Sequence, residues 1–246
     1  MSISKSISIC APAYNEAATI CDVIFLWQKI LMNELRLGNI TEYEIIICDD
    51  GSTDQTVTNL KSLEIPNLIV LQNNSNCGAG IATRNAITAS KMNYVITIDS
   101  DGQFNLLDAI RWLSDIGDSQ VVFGYRKKHD SIIMQIASRL STIYFRKILN
   151  LEIPDANCML KLIVGVIIRE LDLRAVGMNY SGEMTFLLIG CCDNYRWEPV
   201  THSTRISGIS NSKFFRDGIK RLKFQRFLSQ ENRLIRQGII SNRNKR

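Results

Sequence analysis

Two aspartates and a glutamine stand at alternate positions, Asp99, Asp101 and Gln103, where the apolar run YVITI (Tyr94–Ile98) gives way to DSDGQ. In extended backbone, residues i, i+2 and i+4 project to the same side. The spacing therefore predicts a strand that leaves the core and delivers two carboxylates and an amide to one point. These are hard oxygen donors, suited to Mg2+ or Mn2+ rather than zinc. Carboxylates this close repel, and without a cation one of them has its pKa raised. A divalent ion would offset that repulsion and keep positions open for phosphate oxygens. The alternative is a solvated Asp-rich turn. EF-hand geometry is excluded, because the spaced ligands and closing glutamate are absent.

Three further polar stretches precede this one: PAYNE (Pro12–Glu16), DDGSTD (Asp49–Asp54) and NNSNCGAG (Asn73–Gly80). Asp49 and Asp50 are adjacent and point in opposite directions, so only one of them easily faces a ligand. The same DDGSTD residues are what a strand-to-helix turn uses, with Ser52, Thr53 or Asp54 able to cap the next helix. GAGIAT (Gly78–Thr83) opens with G-x-G, yet Thr83 replaces the third glycine of a dinucleotide loop and the motif follows the third strand, not the first. Glycines permitting tight packing of a helix start against the sheet are the simpler reading. Arg126, Arg139, Arg146, Arg205 and Lys213 are candidate phosphate binders. Arg205 and Lys213 lie in a Gly/Ser-rich stretch able to close over an anion. Arg84 reads equally as a surface or salt-bridging residue.

The elements that must position these residues follow from hydrophobic period. Strand-like runs ISISICAP (Ile3–Pro12), YEIIICDD (Tyr43–Asp50), NLIVLQ (Asn67–Gln72), YVITI and QVVFG (Gln120–Gly124) alternate with helix-length segments. The first helix, Glu16 to Leu35, carries Ala17, Ile20, Ile24, Trp27, Leu31 and Leu35 at helical spacing. Strands apolar on both faces and joined by helices indicate an α/β domain with a mostly parallel central sheet and helices on both faces. In such sheets ligands sit beyond the carboxyl ends of the strands, which is where the four polar stretches fall. After Arg126 the alternation gives way to mixed helices and short strands, without a linker or repeat.

Composition bounds the rest. The 246 residues are 46% apolar and 22% charged, enough for a substantial core. Lys213 to the end holds eleven Lys/Arg against two acids, so the net charge of +5 divides into +9 there and −4 over residues 1–212. Seven scattered cysteines without a C-x-x-C pair suggest reduced thiols in a cytoplasmic setting. The start MSISKSISIC lacks a signal-peptide apolar region. The apolar runs LIVGVII (Leu162–Ile168) and FLLIGCC (Phe186–Cys192) are shorter than the roughly 18 residues of a membrane span.

Taken in order, PAYNE, DDGSTD, DSDGQ, FGYR (Phe123–Arg126), DANCMLK (Asp155–Lys161), Glu183 and HSTRISGIS (His202–Ser210) resemble family 2 glycosyltransferases of the GT-A fold. The likeness is strongest to the dolichyl/polyprenyl-phosphate mannose synthase group and covers roughly residues 5 to 213, with Met159 where members often carry glycine. The resemblance implies that Pro12, Tyr14, Glu16 and Asp50 line the nucleotide. It implies Asp99, Asp101 and Gln103 as metal ligands, with Ser100 beside them, for Mg2+ or Mn2+. Arg126 and Arg139 would bind an acceptor phosphate, Arg205 and Lys213 would close on the phosphates, and Glu183 would sit near sugar and acceptor.

The implied reaction is inverting transfer of mannose or glucose from a nucleotide-diphosphate sugar, GDP-mannose or UDP-glucose, to a polyprenyl or dolichyl phosphate. A lipid phosphate is already anionic and needs positioning by arginines, whereas a sugar hydroxyl needs a carboxylate base, for which Glu183 is the best placed. Hydroxyl transfer in polysaccharide or glycolipid synthesis is the nearest rival. A sugar-phosphate nucleotidyltransferase would carry a Gly-rich basic loop where PAYNE stands. The expected division is a catalytic domain over 1–212 and a basic amphipathic segment over 213–246, either packed on the domain or lying at a membrane face. No nucleic-acid module accompanies the basic charge.

Overall fold

A computed structural model describes residues 4–127, 142–143, 146–147, 152–177 and 179–203. Seven strands form one sheet: β1 (Ser6–Ala13), β2 (Glu42–Asp49), β3 (Leu68–Gln72), β4 (Tyr94–Thr97), β5 (Val121–Arg126), β6 (Lys161–Val164) and β7 (Tyr195–Val200). Their order is β3-β2-β1-β4-β6-β5-β7. β1 to β4 pair in parallel, β5 and β7 pair in parallel, and β6 alone runs antiparallel, to both β4 and β5. The helices are α1 (Ile20–Arg36), α2 (Thr56–Ser62), α3 (Ala79–Ala89), α4 (Leu106–Ser114), α5 (Gly165–Arg169) and α6 (Tyr180–Cys191).

The strands read apolar without alternation because both of their faces are covered. β1 and β2 are buried at nearly every position, with Ile9 paired to Ile45 on one side and Ile96 on the other. Such continuous runs belong to sheets sandwiched between helices. α1 packs with α2 and α4, while α3 packs with α5 and α6. Trp27 of α1 and Trp112 of α4 belong to the same core as the central isoleucines.

This topology decides where polar residues collect. β1, β2, β3 and β4 all end on one edge, followed by PAYNE, DDGSTD, NNSNCGAG and DSDGQ. β5 and β7 end on that edge too, and the reversed β6 begins there, at Lys161 opposite Thr97. DANCML therefore enters at the edge that the other strands leave by. The apolar run Leu162–Ile168 divides at Gly165, where β6 turns into α5. An added Cβ at Gly165 would lie 2.5 Å from the Met92 carbonyl, so the turn needs glycine.

Candidate active site

The loops of the carboxyl edge are tied together by their own polar side chains. Asn15, held at φ 56°, accepts the Thr53 N–H at 2.9 Å through Oδ1, and its own N–H donates to Ser52 Oγ at 2.9 Å. The Glu16 N–H donates to Thr56 Oγ1 at 2.9 Å and the Ala17 N–H to Asp54 Oδ2 at 3.2 Å. Asp54 also accepts the Thr56 N–H, so of the three expected capping residues it is the one that meets α2. PAYNE and DDGSTD thus form one hydrogen-bonded unit. Pro12, Tyr14 and Glu16 are half-buried along it.

Asp49 and Asp50 do point apart. Asp49 accepts the Ser52 N–H at 2.9 Å and its hydroxyl, closing its own turn. Asp50, 2% exposed, accepts from Asn73 Nδ2 at 2.8 Å and from the Cys77 and Gly78 N–H groups at 2.9 and 2.7 Å. Three of its roughly four acceptor positions therefore hold the third loop. Gly51, at φ 69°, allows that loop to approach: a Cβ there would lie 2.4 Å from the Ser75 carbonyl carbon. The glycines of GAGIAT serve a different partner from the sheet expected for them. Cβ atoms at Gly78 and Gly80 would meet the carbonyl oxygens of Val176 and Ala175 at 2.3 and 2.0 Å, and the Gly80 N–H donates to Val176 O. The helix start receives the chain segment before α6. Arg84 braces that segment through the Leu173 carbonyl at 2.7 Å.

At DSDGQ the structure corrects the extended-chain geometry. β4 ends at Thr97 and the chain turns through Gly102 at φ 75°, so Asp99, Asp101 and Gln103 do not alternate along a strand. A turn gathers the acids instead, with the Gln103 N–H donating to Asp101 Oδ1 at 3.1 Å. The two carboxylates remain close enough to interact. Burial first, and the Asp101 charge second, push Asp99 up to about 6, against the Tyr180 hydrogen bond and the positive charges of Arg126 and Lys161. The Tyr180 hydroxyl donates to Asp99 Oδ1 at 2.9 Å. Buried Ser100 donates to the Pro12 carbonyl at 2.7 Å, joining this turn to the end of β1.

Gln103 fastens the turn to the far side of the site. Its Nε2 donates to Ser203 O at 3.2 Å and its carbonyl accepts the Ser203 N–H at 2.8 Å. Phe104 pairs with His202 in an isolated bridge, their rings 4.8 Å apart edge to face. Of the Gln103 amide, only the oxygen can serve a cation.

Arg126, at the end of β5, is locked to Asp155. Its Nε and Nη2 donate to the two carboxylate oxygens at 2.8 and 3.2 Å, with the side chains 16% and 4% exposed. Burial opposes both charges, but each partner outweighs it: Asp155 is held below its ordinary pKa and Arg126 above. Arg146 donates to the Ile153 carbonyl at 2.7 Å. Arg139, Arg205, Lys213 and the segment 213–246 lie outside the described residues.

Three contributors escaped sequence reasoning: Lys161, Tyr180 and Ser181. Lys161 is 1% exposed on a central strand and donates to the Cys158 carbonyl and to Ser181 Oγ. Burial drives its pKa down to about 8. Tyr180 and Ser181, in the first turn of α6, reach Asp99 and Lys161 respectively. Glu183, in the same turn and 2% exposed, accepts the Arg174 N–H on one oxygen and the Ala175 N–H on the other, both at 2.8 Å. Its pKa is raised, burial outweighing those two donors. Thr185, one turn on, donates to the Ala156 carbonyl at 2.9 Å. The only sequence signal was four polar residues opening an otherwise apolar helix.

The donor set suits a hard cation: two carboxylates close enough that the Asp101 charge adds to burial in raising the Asp99 pKa. Among the described residues, no cluster of three or more His, Cys, Asp and Glu is arranged to hold a metal. A cation here would need amide, phosphate or water oxygens besides. All seven cysteines are free. Among the described residues no helix is long and apolar enough to cross a membrane.

Residues 8–155 match the family model described as glycosyl transferase family 2. A dolichyl-phosphate beta-glucosyltransferase of Dictyostelium discoideum is 31% identical over 129 residues, 49% of this chain and 39% of the relative. An undecaprenyl-phosphate 4-deoxy-4-formamido-L-arabinose transferase of Proteus mirabilis is 26% identical over 162 residues, 64% of this chain and 48% of the relative. The chain thus spans less than half the length of either. Among solved structures, glucosyl-3-phosphoglycerate synthase of Mycobacterium tuberculosis with phosphoglyceric acid superposes with a TM-score of 0.71 at 18% identity, covering 92% of this chain and 80% of that one. A complex of that synthase with Mn2+, UDP-glucose and phosphoglyceric acid gives 0.66 at 17% identity, over 92% and 80% of the two chains.

Proposed function

Because the chain belongs to glycosyl transferase family 2, we propose that it transfers a hexose, with inversion, from a nucleotide-diphosphate sugar to a polyprenyl phosphate, using Mg2+ or Mn2+. The observation that carries the reading is the pairing of Asp99 with Asp101 at the carboxyl edge, where burial and, second to it, the Asp101 charge raise Asp99 to about 6. Asp99, Asp101 and the Gln103 amide oxygen would hold the cation. When bound, it would neutralise the charge that develops on the departing diphosphate.

The chain's own residues account for the rest. The unit formed by PAYNE and DDGSTD offers Pro12, Tyr14, Glu16 and Asp50 to the nucleotide, and Ser100 ties that wall to the acidic turn. Arg126 and Arg139 would orient the acceptor phosphate, and Arg205 and Lys213 would close on the donor phosphates. Asp155 fixes the Arg126 guanidinium in one orientation, as anion positioning requires.

The state of Glu183 favours phosphate over hydroxyl as the nucleophile. A hydroxyl acceptor needs a base within reach, and both Glu183 oxygens are engaged by backbone N–H groups. A lipid phosphate oxygen is already anionic and needs only to be placed. We therefore assign Glu183 a positioning role, holding Arg174–Val176 against Gly78 and Gly80 beside the nucleotide wall. The two relatives named above act, by their names, on dolichyl and undecaprenyl phosphate. The first is a glucosyltransferase, which ranks glucose before mannose. The test is a donor screen: labelled UDP-glucose and GDP-mannose incubated with polyprenyl phosphate and Mn2+. Label in lipid from at least one donor supports the reading; none from either opposes it.

A further inference from the structure

Large exposed apolar side chains concentrate on one helix. Among the described residues there are eight, and five of them belong to α1 or its cap: Phe25 (51%), Leu26 (56%), Met32 (55%), Leu35 (41%) and Leu37 (60%). The buried apolar side chains of α1 are Ile20, Val23, Ile24, Trp27 and Leu31. At 3.6 residues per turn, Phe25, Lys29, Met32 and Arg36 line up at i, i+4, i+7 and i+11, flanked by Leu26 and Leu37. Folding does not explain this second apolar face, because a helix with one side in water ordinarily carries polar residues there.

The charges on it identify an occupant. Beyond the first turn, the acid of α1 is Glu34, which is buried and accepts from Asn33 and Asn39. The exposed line carries Lys29 and Arg36 against one exposed acid, Asp22 in the first turn, a net of one positive charge. Apolar side chains interspersed with basic ones are the pattern of helices that lie in a lipid headgroup layer, where each cation near an anionic surface contributes about 1 kcal/mol. The face is too small for a stable dimer: about 25 Å by 10 Å, roughly 250 Å², against ~800 Å² per partner. α1 also begins at the site's own edge, where the Thr19 and Ile20 N–H groups donate to the Glu16 carbonyl.

We propose that the outward face of α1, Phe25, Leu26, Lys29, Met32, Arg36 and Leu37, docks the enzyme on an anionic lipid bilayer. This deepens the lipid-acceptor reading and rests on it for the choice of occupant. The full chain should float with vesicles of phosphatidylcholine and phosphatidylglycerol and much less with phosphatidylcholine alone. The double variant Phe25→Gln/Met32→Gln, both positions exposed, should keep its melting temperature and lose flotation about tenfold or more. Lys29→Gln/Arg36→Gln should lose the dependence on phosphatidylglycerol. Unchanged flotation of the apolar variant, or no flotation of the wild type, overturns the proposal. So does a wild-type dimer that this variant dissociates, since the occupant is then a second copy. With a short-chain polyprenyl phosphate dispersed in detergent, wild type and apolar variant should transfer sugar equally. Loss of transfer by both there would reject the acceptor reading while leaving the flotation result to decide the docking surface.

Discussion

The Tyr180 hydroxyl lies 2.9 Å from Oδ1 of Asp99, so a residue of α6 fixes a carboxylate of the turn that follows β4. Tyr180 is 6% exposed. Removing the hydroxyl while keeping the ring leaves packing intact and frees the carboxylate to rotate. Groups that orient metal ligands typically contribute 10–100-fold in affinity. Tyr180→Phe should weaken Mn2+ binding by about that factor in titration calorimetry, with little change in the thermal melt. Equal affinity would reduce the contact to packing.

The Arg126–Asp155 pair should behave as a buried unit. Asp155→Asn leaves a largely buried guanidinium uncompensated and should cost about 3–5 kcal/mol in urea unfolding. Replacing both partners by apolar residues should cost clearly less than the two single changes together. Additive costs would show that the pair is not coupled. Because Asp155 is held below its ordinary range, its contribution is present above the unfolded carboxylate pKa and is lost as the pH falls through the folded one.

Gly80 sets helix propensity against contact. Alanine in a helix is favoured over glycine by about 1 kcal/mol, yet here its Cβ would lie 2.0 Å from a backbone carbonyl oxygen. Overpacking of this kind costs about 1–3 kcal/mol or more. Gly80→Ala should therefore lower the melting temperature, and a stabilised variant would mean that the segment before α6 is not docked on α3.

Lys161 makes stability depend on alkaline pH. Its folded pKa is about 8, below the ordinary 10.5, because burial penalises the ammonium. The unfolded chain binds the extra proton between those values, so this group's contribution rises with pH from about 8 to about 10.5. Below pH 8 the penalty is complete, on the order of 3 kcal/mol. Lys161→Met should be more stable at pH 7, since Ser181 still donates to the Cys158 carbonyl at 3.0 Å. Its stability advantage should shrink between pH 8 and 10.5. An advantage independent of pH would exclude a buried ammonium.

The first five strands and the edge they serve were legible because parallel strands covered on both faces are written as unbroken β-branched runs. Thr97 and Gly102 mark where that legibility stopped: alternation was extended past the end of β4, although Gly102 already signalled a turn. Tyr180 and Lys161 could not be read, because their partners are fixed by long-range pairing of β6 with β4, not by local spacing. Glu183 was visible as an acid in an apolar helix, but its backbone partners at 174 and 175 were not. For Asp50 the sequence showed a carboxylate at a strand end without showing that it already holds Asn73, Cys77 and Gly78.

The central claim is that a lipid phosphate, rather than a hydroxyl, accepts the sugar. It is tested most directly by offering the enzyme polyprenyl phosphate and the matching polyprenol side by side, with labelled donor and Mn2+. The account predicts label on the phosphate alone, abolished by EDTA and by Asp101→Asn. Label on polyprenol, or transfer that survives both treatments, would contradict it.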